Sequence, residues 1–210
     1  MEFIEIIKQR RAVNFFDPEK DISDDLFKDI VNTAAYTPSS FNLQPWNLVV
    51  LRDFEDKEKL KKLAMGQPKV SEAPVTAIVL ADIEGWKNDN EGSIKVITKM
   101  IEEGTAKESQ FAFLGKVGKK LYGYSKEAEV AYACKNTGFF AMSLMLAAKA
   151  KGVDTHPMDG IDMDGIKKEF KIPDKYWVPM IISFGYFDKT KELPQAKWKK
   201  TYDDIVISFE

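Results

Sequence analysis

Pro38-Ser39-Ser40-Phe41-Asn42-Leu43-Gln44-Pro45-Trp46, followed by Asn47-Leu48-Val49-Val50-Leu51, is the stretch on which the fold turns. Two prolines bracket it. Pro38 disfavours continuation of any helix before it, and Pro45 leads into an apolar run rich in Val and Leu that reads as a strand over Trp46 to Leu51. The loop between them is crowded with Ser39, Ser40, Asn42 and Gln44, four hydrogen-bonding side chains within six positions. It is a polar loop delivered to the mouth of a buried strand.

Working outward, Ser23 can cap a helix whose first turn carries Asp24 and Asp25 and whose buried face is Ile22, Leu26, Ile30, Val31 and Ala34. Before it, Phe3, Ile4, Ile6 and Ile7 make an apolar stripe at helical spacing that ends at Arg10 and Arg11. After the first strand come a lysine-rich helix over Glu55 to Ala64 and a second apolar strand over Val75 to Ala81. Helical patterning recurs at Ile94 to Ile101 and Gln110 to Leu121, with Phe111, Phe113, Tyr122 and Tyr124 scattered near it; residues 86–125 read as an excursion over the core. Lys126 to Ala150 is apolar around nearly its whole circumference, so this helix belongs in the middle of the molecule or in a dimer interface. An extended segment at Asp154 to Met158, a helix near Asp162 to Phe170 and a buried strand at Val178 to Gly185 follow. The alternation of Asp203 to Phe209 predicts a tail strand, which needs a partner to persist; a neighbouring subunit is one candidate.

With 44% hydrophobic and 30% charged residues, no repeat and no Gly/Ser/Pro-rich linker, the 210 residues read as one domain over 1–210, with an arm at about 190–210. The 31 basic and 33 acidic residues nearly cancel, so no global field attracts nucleic acid or anionic lipid. The longest apolar run, Phe139 to Ala148, is about ten residues, against about 20 for a membrane span. Cys134 is the only cysteine, which excludes an intrachain disulfide framework and fits a reducing compartment; with no secretory stretch in Met1 to Arg11, a cytoplasmic location is expected. Cys134 lies within the apolar helix and reads as buried and inert, and His156, the only histidine, reads as structural. No His/Cys/carboxylate spacing suits a metal.

Taken singly, a Pro-Ser-Ser turn is a helix terminus, an Arg-Arg pair is solvated and a lysine-rich tail serves solubility. Their ordered co-occurrence says more. Pro38 to Trp46 together with Arg10-Arg11-Ala12-Val13-Asn14-Phe15-Phe16 resembles the FMN-binding signature of the nitroreductase family. Gly66-Gln67-Pro68-Lys69, Pro157-Met158-Asp159-Gly160 and the lysines Lys197, Lys199 and Lys200 match in order and approximate spacing.

The resemblance implies an α+β fold, a mainly antiparallel sheet flanked by helices, in an intertwined homodimer with each FMN at the subunit interface. It implies that NADH or NADPH reduces the flavin and that a nitroaromatic, quinone or flavin-like acceptor reoxidises it by a ping-pong route. No side chain need act as a nucleophile. The expected cofactor-binding residues are Arg10, Arg11, Ala12, Asn14, Pro38, Ser39, Ser40, Asn42, Gln44, Gln67, Lys69, Pro157, Met158, Asp159, Gly160, Lys197 and Lys199. Arg10 suits the flavin phosphate in fork geometry, with Lys197 or Lys199 as a second charge; the loop amides and hydroxyls suit the ring's polar edge, and Pro38 and Pro157 its flat faces. Asp159 is assigned to cofactor binding through backbone N–H rather than to acid–base chemistry. Ala12 and Asn14 stand where many relatives carry a serine and a lysine or arginine. The competing readings are a flavin-binding or sequestering protein without turnover, an interaction module that has lost its cofactor, and a specialised flavin-dependent dehalogenase or azoline oxidase.

Overall fold

Strand β2 (Val75–Asp82) is buried at every position, and its side chains divide between two cores. Ala77 and Val79 point into one apolar cluster and Ile78 and Leu80 into another. A strand covered on both faces has no polar side to show, which is why this segment is apolar without alternation. The computed structural model describes residues 2–209, so Met1 and Glu210, the ends of the expected 1–210 span and of the expected arm, lie outside the described residues.

The sheet has four strands, β1 (Trp46–Leu51), β2, β3 (Asp154–Met158) and β4 (Tyr176–Gly185), in the order β1-β2-β4-β3. Every pairing is antiparallel. One face carries helix α2 (Asp24–Ala34) and helix α7 (Lys126–Ala150); the other carries α3 (Phe54–Leu63), α4 (Lys69–Glu72) and α8 (Met163–Glu169).

Helix α2 starts where the Ser23 hydroxyl accepts from Leu26 N at 3.2 Å, and Asp24 and Asp25 complement its dipole. Its buried residues are Phe27, Ile30 and Ala34; Leu26 and Val31 are only partly covered, because Phe27 takes the inward position and meets Phe184 edge-on at 5.3 Å. The 25 residues of α7 begin at a Ser23-like cap, Ser125 accepting from Ala128 N at 3.2 Å. Among the described residues, no helix is long and apolar enough to cross a membrane.

Between β2 and α7 the chain makes α5 (Glu91–Glu102) and α6 (Ser109–Leu121), which share a third apolar cluster with Leu43, Trp86 and Tyr132. The Trp86 ring fits against two glycines of this region: a Cβ on Gly123 would stand 2.4 Å from its Cη2, and one on Gly118 would stand 3.0 Å from its Cε3.

The apolar stripe forms a short first helix, α1 (Phe3–Gln9), in which Ile6 is buried and Phe3, Ile4 and Ile7 are exposed. One terminal expectation needs correction. The tail strand expected at Asp203 to Phe209 is absent among the described residues: Tyr202–Ile205 forms one helical turn, α9, closed by a Thr201–Asp204 capping box. A strand without a pairing edge leaves its backbone unsatisfied, whereas a capped turn satisfies its own. Tyr202, Ile205, Val206, Ile207 and Phe209 are all exposed in the single chain.

Candidate active site

The expected residues gather on two separate surfaces. The first is built on β3. Val13 N donates to Thr155 O at 3.2 Å, and Ala12 forms a parallel bridge with Thr155, so the segment after α1 lies along this edge strand. The His156 ring fastens it: Nδ1 lies 2.7 Å from Val13 O, and a carbonyl can only accept, so Nδ1 carries the proton. Burial pushes the His156 pKa down and nearby Lys69 pushes the same way, against the Val13 hydrogen bond. The imidazole is therefore a neutral clip.

Lys69, at the start of α4, reaches Asn14 Oδ1 from Nζ at 3.5 Å, leaving the Asn14 amide N–H groups directed elsewhere. The turn after α3 bends through Met65 and Gly66, both at positive φ, and comes against Gly160: a Cβ there would stand 3.2 Å from Met65 Sδ and 3.9 Å from Gln67 Nε2. Asp162 N donates to Leu63 O at 2.7 Å and holds the two turns together. Pro157 is half-buried and Asp159 exposed, but the Met158 side chain is buried in the core beneath the sheet, so Met158 has only its backbone to offer. Arg10 follows α1 half-buried, whereas the Arg11 guanidinium donates to Pro194 O. Lys197 and Lys199, three and five residues beyond Pro194, are exposed.

The second surface is the Pro38–Trp46 loop. Phe41, Asn42 and Gln44 hold φ of 52°, 58° and 49°, left-handed values that cost non-glycine residues roughly 1–2 kcal/mol each. Such strain persists only where neighbours impose it. Ser40 N donates to Asn136 Oδ1 at 2.9 Å and Gln44 N donates to Ser39 Oγ at 2.9 Å. Lys135 Nζ donates to Ser40 Oγ at 3.2 Å, Gln44 Nε2 to Asn42 O at 3.2 Å, and Asn42 Nδ2 approaches Met100 Sδ at 3.8 Å. A Cβ on Gly85 would stand 2.7 Å from Pro45 Cβ, so only glycine admits the loop's end there. Phe41 and Phe113 meet edge-to-face at 6.3 Å and 77°, both about half exposed, beside the loop.

Asn136 is fully buried and was not among the expected site residues, although a polar Asn136-Thr137 pair in the middle of an apolar helix was a readable signal. The other aromatics of the excursion have packing roles: Phe111 lies against the third cluster, and Tyr122 lies tilted at 33° against Tyr132, with ring centroids 4.3 Å apart. Tyr124 is exposed. Cys134 is half-buried, and burial pushes its thiol pKa up. No cluster of metal-ligating side chains occurs among the described residues.

The two surfaces lie at opposite edges of the sheet. Met158 sits in one row with Ile181, Ile78 and Val49, and Trp46 lies three residues along β1 from that row. Three strand spacings and three residue rises separate the two by on the order of 17 Å.

The profile of the nitroreductase family matches residues 7–186. The chain belongs to the nitroreductase family. Its curated relatives include YdgI of Bacillus subtilis (strain 168), a protein provisionally named as an NAD(P)H nitroreductase, 33% identical with 97% of this chain and 96% of that one aligned. Among solved structures, YdfN of Bacillus subtilis superposes with a TM-score of 0.87 at 25% identity, covering 99% of this chain and 98% of that one. A protein of Exiguobacterium sibiricum 255-15, provisionally named as a nitroreductase and solved in complex with FMN, superposes with a TM-score of 0.84 at 26% identity, covering 98% and 96%. The antiparallel α+β architecture of this nitroreductase-family chain is that of these neighbours. Its two polar surfaces supply the donor types an FMN needs: cations for a phosphate, amides and hydroxyls for a polyol and ring edge, and a close-packed glycine at Gly160 where a side chain would fill the turn.

Proposed function

We propose that two copies of this chain assemble as a homodimer in which each FMN lies between the β3 surface of one copy and the Pro38–Trp46 loop of the other, and that the enzyme passes electrons from NADH or NADPH to flat acceptors. The observation that carries this reading is the separation of on the order of 17 Å between two surfaces that both have flavin-binding chemistry. A second copy removes the distance. The exposed apolar residues Phe3, Ile4, Ile7, Ile205 and Phe209 agree, being surface that a monomer leaves wet.

In this reading Arg10 holds the phosphate, with Lys197 or Lys199 beside it, and Asn14 turns its amide N–H toward the ring's polar edge while Lys69 sits behind it. Ser39, Ser40, Asn42 and Gln44 of the partner's loop orient the ring, Pro38 and Pro157 lie against its flat faces, and Gln67, Asp159 and Gly160 supply further donors. When bound, FMN supplies the two-electron relay that lets the donor leave before the acceptor enters, hence ping-pong kinetics. Phe41 and Phe113 offer one aromatic wall, which selects flat nitroaromatic, quinone or flavin-like acceptors weakly. The single half-buried cysteine suits a reducing cytoplasm.

Subunit complementation tests the arrangement. An Arg10→Ala chain and an Asn42→Ala chain each bind FMN poorly alone, but a mixed dimer rebuilds one intact site in two from their unmutated halves. Mixed dimers that recover no FMN binding refute the shared site. Bleaching of the FMN-loaded dimer by NADH or NADPH, and its anaerobic reoxidation by a quinone, test the turnover.

A further inference from the structure

A cleft of about 240 Å3 opens beside the Pro38–Trp46 loop, where α5 begins next to the start of β1. Gln44, Trp46, Asn47, Asp82, Asn90 and Lys95 are among its lining residues. It is too small for a whole dinucleotide and suits one phosphorylated nucleoside fragment.

Its polar groups are unequally satisfied. The Asp82 carboxylate is closed off, accepting from Glu84 N at 3.0 Å and Asn90 Nδ2 at 3.1 Å, with Lys175 Nζ 3.3 Å away. The first amides of α5 are also taken: Asn90 Oδ1 accepts from Gly92 N and Ser93 N. Neither the carboxylate nor the helix end calls for a ligand. Lys95 differs. Lys87, Lys99, Lys126 and Lys175 each sit on a carboxylate; Lys95, like Lys116, Lys119, Lys120 and Lys135, forms no ion pair among the described residues, and of these it is the one that lines the cleft. Gln44 engages its N–H on Asn42 O and keeps its carbonyl for a ligand. Trp46 stacks one face on Phe140 at 4.9 Å and also lines the cleft.

Gln44 is two residues from Asn42, so the cleft begins within about 7 Å of the groups assigned above to the flavin. A donor whose nicotinamide lies on the flavin must carry its remaining length over an edge of that loop. A cation without an ion pair, an aromatic ring, the Gln44 carbonyl and the Asn47 amide are the chemistry of that remainder: phosphate, purine and ribose hydroxyls.

We propose that this cleft holds the phosphate-bearing tail of the nicotinamide donor, with Lys95 binding the phosphate. The proposal rests on the flavin reading above. The phosphate is either the pyrophosphate common to both donors or the 2′-phosphate of NADPH, and the donors themselves separate the two.

The test compares the FMN-loaded parent with Lys95→Ala in anaerobic stopped-flow reduction by NADH, NADPH and reduced nicotinamide riboside, which has no phosphate. The expected result is a half-saturating concentration raised on the order of fivefold for phosphate-bearing donors, the scale of a partly exposed charge contact, with the limiting rate and the riboside unaffected. A loss shared by both dinucleotides places the pyrophosphate at Lys95, and a loss confined to NADPH places the 2′-phosphate there. Any other pattern, including an equal loss with the riboside, overturns the proposal. Saturation-transfer NMR of the FMN-loaded protein with NADP+ gives a reading independent of turnover: adenine protons saturate in the parent and less in Lys95→Ala, and absent saturation in the parent refutes the cleft. A chain that takes up no FMN fails earlier and differently, overturning the flavin reading as well.

Discussion

Asn136→Leu removes the fully buried carboxamide that holds Ser40 of the signature loop from below, beside Thr137, whose hydroxyl reaches only Pro45 O at the loop's end. Its Oδ1 is the acceptor for Ser40 N at 2.9 Å, and its Nδ2 donates to Tyr132 O at 2.7 Å. Leu keeps the branched shape with somewhat bulkier ends and loses both bonds. A buried N–H left without an acceptor costs about 1–3 kcal/mol, so the folded state should lose roughly that much. The loop carries strain of a similar size: left-handed conformations at Phe41, Asn42 and Gln44 sum to roughly 3–6 kcal/mol, with Asn42 adopting the conformation most readily. Weakening the restraint by half that amount lets the loop relax in a large fraction of molecules. If about a tenth retain the present conformation, the apparent Kd for FMN rises about tenfold, or about 1.4 kcal/mol. FMN fluorescence quenching measures the affinity and urea denaturation the stability. Leu144→Ala, a fully buried change on the same helix costing about 2–5 kcal/mol, is the control, and it should leave FMN affinity within about twofold. An Asn136→Leu protein that loses stability but binds FMN like the parent would refute the claim that Asn136 maintains the strained loop.

Arg10→Ala should weaken FMN binding by about 1.5–3 kcal/mol and Arg11→Ala by less, since Arg11 already donates to Pro194 O; equal losses in the two titrations would mean that both share the phosphate. Asn14→Lys should raise the midpoint potential of bound FMN by on the order of 20 mV, because a charged donor stabilises the reduced ring more than the amide does, by about 1 kcal/mol. Spectroelectrochemistry decides that point, and an unchanged or lowered potential removes Asn14 from the ring edge. Because burial holds the His156 pKa below its ordinary 6.5, the folded protein binds its proton less readily than the unfolded chain. The stability from His156 is therefore present above about pH 6.5 and lost as pH falls from there through the depressed value, and His156→Gln should flatten that limb in denaturation measured from pH 7.5 to 5. Gly123→Ala forces a Cβ to 2.4 Å from Trp86 Cη2, and a stability loss of about 1–3 kcal/mol in denaturant is expected; a neutral outcome would show that the excursion shifts freely.

Local sequence was enough for the elements whose signals are short-range. Ser23 marks a helix start by its side-chain cap, Pro45 marks the entry to β1, and the apolar run from Lys126 to Ala150 marks the long helix α7. The Ser/Asn/Gln crowding of the loop and the Arg10 to Phe16 segment carried the family resemblance for the same reason, since such motifs are short-range patterns of residue types. Three matters were decided only by tertiary structure. Loop strain depends on a carboxamide 96 residues away, Asn136, and no local pattern forces Phe41 to positive φ. The fate of the tail depended on which distant segment it meets: among the described residues it pairs with no strand, and Thr201 and Asp204 close a turn instead. The division of the expected binding residues between two edges of the sheet follows from the order β1-β2-β4-β3, a long-range pairing that spacing along the chain does not encode. Burial and capping act over a few residues and leave a trace in sequence, whereas strand order and cross-sheet distance are set by which distant segments exclude water together.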